Sequence, residues 1–360
     1  MRFTHRTLPQ RVVFGAGDAP AAVAAEVSAL GGTRAMLIAS ARDAAQVDRI
    51  AADIPVALRH EEVVMHVPVD VAERARTAAA AARVDVLVSV GGGSTTGLAK
   101  AVALTTGLPI VAVPTTYAGS EATDVWGLTT DGVKTTGSDP RVLPASVVYD
   151  AALLSSLPRE LSVSSGLNAL AHCVDAMWGP RADPIDRALA EEAIRALRAG
   201  LLGLVGEAGA ATDPAAEHPD PVEETLYGAY LSATAFASAG SGMHHKICHV
   251  LGGLYDLPHA QTHAVVLPHV LAFNAPNAPE AERRIARALG SATATAGLAA
   301  LRRSVDAPRA LRDYGMPESG IEAAVPPILA AIPANNPTPV TPEGLAALLG
   351  DAWRGTTDEQ

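Results

Sequence analysis

Along roughly the first 150 residues, short apolar runs alternate with longer Ala-rich stretches at helical spacing. Arg11 to Phe14 reads as a strand ended by Gly15-Ala16-Gly17, with a helix through Ala19 to Leu30. Ala35 to Ala39 is a second strand, followed by a helix around Ala44 to Ala52. Val63 to Val67 reads as a third strand and Val71 to Ala82 as a helix. Val84 to Val90 is a strongly apolar fourth strand and Ile110 to Val113 a fifth. Strands apolar on both faces, each followed by a helix, imply a parallel sheet covered by helices.

After about Leu157-Pro158 the rhythm changes. Strand-like runs vanish, and long segments such as Pro184 to Val205 and Val222 to Ala239 show helical spacing. Glu207 to Asp220, rich in Ala, Pro and Asp, reads as an exposed loop between helices. No internal repeat is visible. The expected architecture is an α/β N-terminal Rossmann-like dinucleotide-binding domain over 1–157 and an all-α substrate and catalytic domain over 158–360. A ligand is expected in a cleft between them.

Composition narrows the function classes. The 360 residues are 49% hydrophobic and 18% charged, enough to bury a large core. Twenty-seven Lys and Arg against 38 Asp and Glu leave a net charge of −11. That balance argues against a nucleic-acid binder, which needs a basic face, and against a polybasic membrane anchor. Cys173 and Cys248 alone cannot form a disulfide framework. There is no signal-peptide pattern, no spanning apolar stretch and no C-terminal lipidation motif, so a cytoplasmic protein is expected.

Two motifs then suggest chemistry. Gly91-Gly92-Gly93-Ser94 follows the fourth strand directly, and a helix is predicted from Thr95. Three glycines let backbone approach a phosphate, and the helix N-terminus offers unpaired N–H groups and a positive dipole end. A tight turn alone would also account for the run. The near-match to GxGxxG at Gly15 to Pro20 fails at its sixth position. One βαβ step later, Pro114-Thr115-Thr116-Tyr117-Ala118-Gly119-Ser120-Glu121 places hydroxyls at the end of the fifth strand. Such hydroxyls suit a phosphate or ribose contact, or a helix cap.

The second motif is a crowd of histidines. His244, His245, His249, His259 and His263 fall in one short window, with His269 just beyond. His245 and His249 are i,i+4, as are Asn168 and His172 upstream, so each pair shares a helix face. His259 opens a helix after Pro258. A lone buried histidine is usually structural, but so many on two segments point to metal binding or proton transfer. Lys246 adds positive charge.

GGGS, PTTYAGSE, GSDP, SGLNALAHCVDA, HHKICHVLGG and LPHAQTHAVVLPH, in this order, resemble the iron-containing alcohol dehydrogenase superfamily. Within it they look most like the maleylacetate reductase branch, and the likeness runs from RVVFGAG to NNPTPV. The resemblance implies a dehydroquinate synthase-like fold and NADH or NADPH as cofactor. It implies reduction of the C=C bond of maleylacetate, a dicarboxylate, to 3-oxoadipate in aromatic catabolism, by a homodimer. Gly91, Gly92, Gly93 and Ser94 match the pyrophosphate loop; Thr115, Thr116 and Lys134 match further cofactor contacts. Asn168, His172, His245 and His259 match the metal-ligand positions of metal-dependent members. An Asn replaces the family's Asp there, as it does in the reductase branch, which is regarded as not needing a metal. An amide binds a dication weakly, so no metal is expected. His249 matches the proton-transfer position. His245 is expected to donate beside it, with Lys246 or His172 holding a substrate carboxylate, and the rings are expected to titrate near neutrality.

Two positions depart from the family pattern. Asp124 stands where Pro is usual, and Ser40 stands where NAD-selective relatives carry an acid for the ribose hydroxyl. With Arg42 close by, tolerance of NADPH as well as NADH is expected. Other readings stay open on the sequence. They are a metal-dependent alcohol or aldehyde dehydrogenase, a lyase or cyclase like dehydroquinate synthase, a biosynthetic reductase of a related unsaturated oxo acid, and an inert nucleotide-binding protein.

Overall fold

A computed structural model describes residues 2–41, 44–130, 133–206 and 220–355. Residues 7–157 form one unit; residues 2–6 and 158–355 form the other.

In the first unit, strands and helices alternate as the apolar runs require. They are β1 (Arg11–Gly15), α1 (Ala19–Ala29), β2 (Ala35–Ile38), α2 (Ala44–Ala51), β3 (Val56–His60) and α3 (Val69–Ala81). Then come β4 (Val86–Gly91), α4 (Gly93–Thr106), β5 (Ile110–Pro114), β6 (Val125–Thr130), β7 (Val133–Ser138) and β8 (Ser146–Asp150). Six strands make a parallel sheet in the order β1-β8-β5-β4-β2-β3. β4, β5 and β8 are buried along their whole length, as central strands covered on both faces must be. β6 and β7 form a separate antiparallel hairpin.

Two departures from the sequence pattern have physical causes. The third strand is Val56–His60, not Val63 to Val67. His66 and Val67 adopt φ of 62° and 49°, which no strand accepts. The Val67 carbonyl instead accepts the Thr129 N–H at 3.1 Å, tying this loop to the hairpin. VALRH, with Arg59 and His60, suits the edge position that β3 occupies, where one flank needs no partner. The five-strand reading lacked the β6–β7 hairpin and, within the parallel sheet, β8. β8 lies between β1 and β5, so the last strand added along the chain closes the gap beside the first.

The second unit is helical: α5 (Arg159–Trp178), α6 (Pro184–Leu204), α7 (Pro221–Ala239), α8 (Met243–Tyr255) and α9 (His259–Asn274). It ends with α10 (Pro279–Ala288), α11 (Ala294–Ser304), α12 (Gly320–Ala331) and α13 (Pro342–Arg354). Asp183, Asp220 and Thr341 cap α6, α7 and α13, each followed by Pro at the first helical position. Of the expected loop at Glu207 to Asp220, all but Asp220 lies outside the described residues. From Ser162 to Trp178, α5 is buried on every side, with Leu167 and Leu170 at its centre. Each such leucine stabilises the fold by about 1.5–3 kcal/mol. A helix this buried holds its polar residues in fixed positions. Among the described residues, no helix is long and apolar enough to cross a membrane.

Candidate active site

Chain order in the sheet reverses between β2 and β4: β2 leads outward to β3, while β4 leads the opposite way to β5 and β8. Open parallel sheets bind ligands at such a switch point, beyond the strands' C-terminal ends. Here β4 ends at Gly91 and α4 begins at Gly93, with Gly92 capping the helix without any side chain to occupy its first N–H groups. Those groups and the dipole suit a phosphate. Gly91 has φ of 153°, and a Cβ there would lie 2.3 Å from Thr95 Oγ1, so the cradle excludes any side chain.

Of the other predicted cofactor residues, Thr115 and Thr116 lie against this loop. The Thr115 N–H donates to the Gly91 carbonyl at 3.1 Å. A Cβ on Gly92 would meet Thr116 Cγ2 at 3.0 Å. Ser94 lies in the first turn of α4, and Ser40 follows the end of β2, the strand flanking β4. Lys134 faces Thr129 across the β6–β7 ladder; its side chain, and Arg42, lie outside the described residues. The Gly15-Ala16-Gly17 turn is differently employed. Asp150 accepts the N–H groups of Gly17 at 2.7 Å, Ala19 at 2.9 Å and Ala152 at 2.9 Å. A carboxylate already satisfies the N-terminus of α1, which makes it a poor phosphate site.

In the helical unit, Asn168, His172 and Asp175 lie at i, i+4 and i+7 on α5, one face of the helix. Asp175 is the residue missed in the sequence. It is fully buried and reaches across to the N-terminus of α8. There it accepts the Gly242 N–H at 3.0 Å, the His245 N–H at 3.1 Å and the His244 N–H at 3.4 Å. Its Oδ2 also lies 2.7 Å from His245 Nδ1. Asp175 thus caps a helix other than its own. Only glycine fits at 242, since a Cβ would come within 2.6 Å of the Asp175 carboxylate. The spacing of Asp175 from Asn168 and His172 was the available signal.

The histidines form a connected group. The rings of His172 and His245 stack at 4.9 Å, and Phe236 of α7 packs against both, at 4.8 and 4.2 Å. His263 lies 4.7 Å from His245 and 4.3 Å from His259. His249 lies 6.0 Å from His245 and 6.3 Å from His259. His244 Nε2 and His263 Nδ1 share a hydrogen bond of 2.9 Å. Nothing in sequence spacing marks Phe236. Lys246, on α8 beside His245, is half-buried.

Burial sets the protonation of this group. It pushes His172 down to about 4 and His244 to about 3, and it holds His245 and His263 well below the ordinary imidazole value. Titration near neutrality was expected; His172 and His245 instead stay neutral, because an uncompensated imidazolium is costly away from water. Burial also raises Asp175, to about 7, against the pull of its backbone N–H partners. For the Asp175–His245 pair, three N–H donors and the imidazole favour the carboxylate with a neutral ring. That fixes the proton on Nδ1 and leaves Nε2 as the lone-pair nitrogen.

The predicted ligand positions offer a weak donor set for a metal dication. Asn168 Oδ1, His172 Nδ1 and His245 Nε2 are buried without hydrogen-bond partners, but they comprise an amide and two imidazoles with no carboxylate. The nearby carboxylate, Asp175, is committed to α8. Among the described residues, the histidines whose ligating atoms all lie within 4.8 Å of one another are His244, His245 and His263, not the expected set. Two of these three spend a nitrogen on each other.

A glycine phosphate loop at the switch point of a parallel sheet, together with a helical unit carrying clustered histidines, defines a dinucleotide-dependent oxidoreductase of dehydroquinate synthase-like fold. The chain belongs to the iron-containing alcohol dehydrogenase family. Residues 9–151 match the profile described as iron-containing alcohol dehydrogenase, and residues 162–353 match the Fe-containing alcohol dehydrogenase family, C-terminal. It is 44% identical to a maleylacetate reductase of Sphingobium indicum, over 99% of this chain and 98% of that one. The solved structure of an iron-containing alcohol dehydrogenase from Corynebacterium glutamicum superposes with a TM-score of 0.94 at 57% identity, covering 99% and 98% of the two chains. That of maleylacetate reductase from Agrobacterium tumefaciens superposes at 0.89 with 37% identity, covering 99% of each.

Proposed function

We propose that this enzyme reduces the C=C bond of maleylacetate to give 3-oxoadipate, consuming one NAD(P)H and one proton, without a bound metal. The observation carrying this reading is Asn168. It supplies an amide where a metal-dependent member has a carboxylate, in a chain alike from end to end to maleylacetate reductases.

When bound, NAD(P)H would supply hydride to the alkene carbon β to the ketone, leaving an enolate to be protonated at the carbon beside the carbonyl. The residues of the chain then have three tasks. Gly91, Gly92, Gly93 and Ser94 hold pyrophosphate on backbone N–H groups, with Thr115 and Thr116 alongside and Lys134 on the hairpin. His249 supplies the proton that quenches the developing enolate. His245, held by Asp175, and His172 orient the substrate through their unpaired nitrogens, and Lys246 attracts a carboxylate. An enolate is delocalised, so hydrogen bonds suffice where a localised alkoxide would gain more from a Lewis acid.

The reading includes use of NADPH as well as NADH, because Ser40 places no carboxylate against a ribose phosphate. It also includes a homodimer; β1 is an edge strand and can accept a partner. The test is NAD(P)H oxidation with maleylacetate, after dialysis against a chelator and without it, with 3-oxoadipate identified as product. Absence of NAD(P)H consumption overturns the reaction. Loss of activity on chelation, restored by metal, favours the metal-dependent dehydrogenase.

A further inference from the structure

Lys100 is a buried amine for which the reaction has no use. It sits on α4, two turns past the phosphate loop, and is 1% exposed. Its Nζ donates to the Ser120 carbonyl at 2.6 Å, the Thr123 carbonyl at 2.8 Å, Thr123 Oγ1 at 3.0 Å and the Val125 carbonyl at 2.8 Å. All four acceptors belong to one short segment, and three of them are backbone carbonyls. Burial pulls the amine down to about 7, while the nearby Glu121 and Asp124 raise it. A lysine is rarely kept out of water unless its partners hold it there.

The clamped segment joins the parts that line the phosphate loop. It continues the chain from Thr115 and Thr116, and it leads into β6 at Val125, the hairpin that carries Lys134. Other contacts hold the same segment from the sheet side. Tyr149 of β8 donates to the Glu121 carboxylate at 2.8 Å, and Gln10 Nε2 donates to the Glu121 carbonyl at 2.8 Å. Lys100 alone among these anchors grows from the helix whose N-terminus forms the cradle.

We propose that Lys100 is a positioning residue for the dinucleotide. By binding the Ser120–Val125 carbonyls, it locks the Thr115–Thr116 segment and the root of the β6–β7 hairpin to the phosphate-loop helix. The inference rests on Gly91–Ser94 being the cofactor cradle, and it adds a residue that never touches the cofactor. Its loss leaves the cradle intact and loosens the walls around it, so cofactor affinity falls while chemistry on bound substrate persists.

The experiment compares Lys100→Met, Thr123→Val and Gly92→Val with the parent enzyme. NADH binding is measured by fluorescence titration, steady-state KM and kcat with maleylacetate, and thermal melting without cofactor. Lys100→Met is expected to raise the NADH Kd and KM by about tenfold or more, the size of about one lost charge-assisted hydrogen bond passed on to the cofactor. At saturating NADH its kcat stays within about twofold of the parent value. Thr123→Val, a milder change that keeps the amine, is expected to raise Kd about threefold, and it reports on the clamp if Lys100→Met fails to fold. An unchanged Kd in a folded Lys100→Met, or equal loss of kcat and affinity in step with a lowered melting point, overturns the proposal. If Gly92→Val abolishes NADH binding while both clamp variants bind normally, only the role of Lys100 fails. If all three bind normally, the cradle assignment fails with it.

Discussion

The carboxylate of Asp175 lies 2.7 Å from His245 Nδ1 and at the same time accepts three backbone N–H groups from the start of α8. One buried acid therefore sets both the position of the histidine helix and the tautomer of its first working ring.

Asp175→Asn is expected to keep the side chain's size while removing the charge and inverting one hydrogen bond. By analogy with other imidazole-orienting carboxylates, kcat should fall by roughly 10²-fold or more. Stability should fall by about 1–3 kcal/mol from the unsatisfied N–H groups. Turnover measured beside a urea melt checks both. Near-parental kcat in the folded variant removes Asp175 from the mechanism.

His249→Ala should cost roughly 10² to 10⁴ in kcat, the usual worth of a positioned proton donor, with NADH affinity unchanged. A variant that retains near-full turnover shows that another group delivers the proton.

Burial of the histidines makes stability depend on pH in a defined direction. His172 and His244 titrate at about 4 and about 3 in the folded chain, against 6.5 as the ordinary value. The unfolded chain therefore binds protons first as pH falls. Their stabilising contribution is complete above pH 6.5 and is lost progressively down to about 4 and below. His172 alone accounts for roughly 3 kcal/mol of this slope. Asp175, raised to about 7, acts in the opposite direction in parent and variant alike, so the readout is the difference: between pH 7 and 4.5 the urea midpoint of His172→Phe should drop less, or rise more, than that of the parent. Parallel curves for parent and variant would contradict it.

Asn168→Asp restores a carboxylate beside His172. The variant should retain a divalent metal through gel filtration, read by elemental analysis, while the parent does not. Equal metal content in the two would mean the amide is no barrier to binding.

Ser40→Asp places a negative charge at the end of β2. The ratio of kcat/KM for NADH over NADPH should rise at least about tenfold, through repulsion of the ribose phosphate. An unchanged ratio would move cofactor choice elsewhere in the chain.

Much of this molecule is local in origin, and so was legible in the sequence. Apolar runs such as Val86–Val90 and Ile110–Val113 pack against helices on both faces, and that need alone dictates a parallel sheet. Helical spacing marks segments such as Pro184 to Val205, and a glycine run after a strand marks the phosphate loop, because these signals act within a few residues. Histidine spacing likewise revealed shared faces at Asn168 with His172 and His245 with His249. Tertiary structure decided what depends on distant partners. Backbone geometry at His66 and Val67 moved the third strand to Val56–His60, and β8 entered the sheet beside β1, far away in sequence. Asp175 became the cap of another helix, and Phe236 the wall of the histidine group. Burial, which no local pattern fixes, turned histidines expected to titrate near neutrality into neutral ones. Desolvation depends on everything packed around a ring, and only the folded chain supplies that.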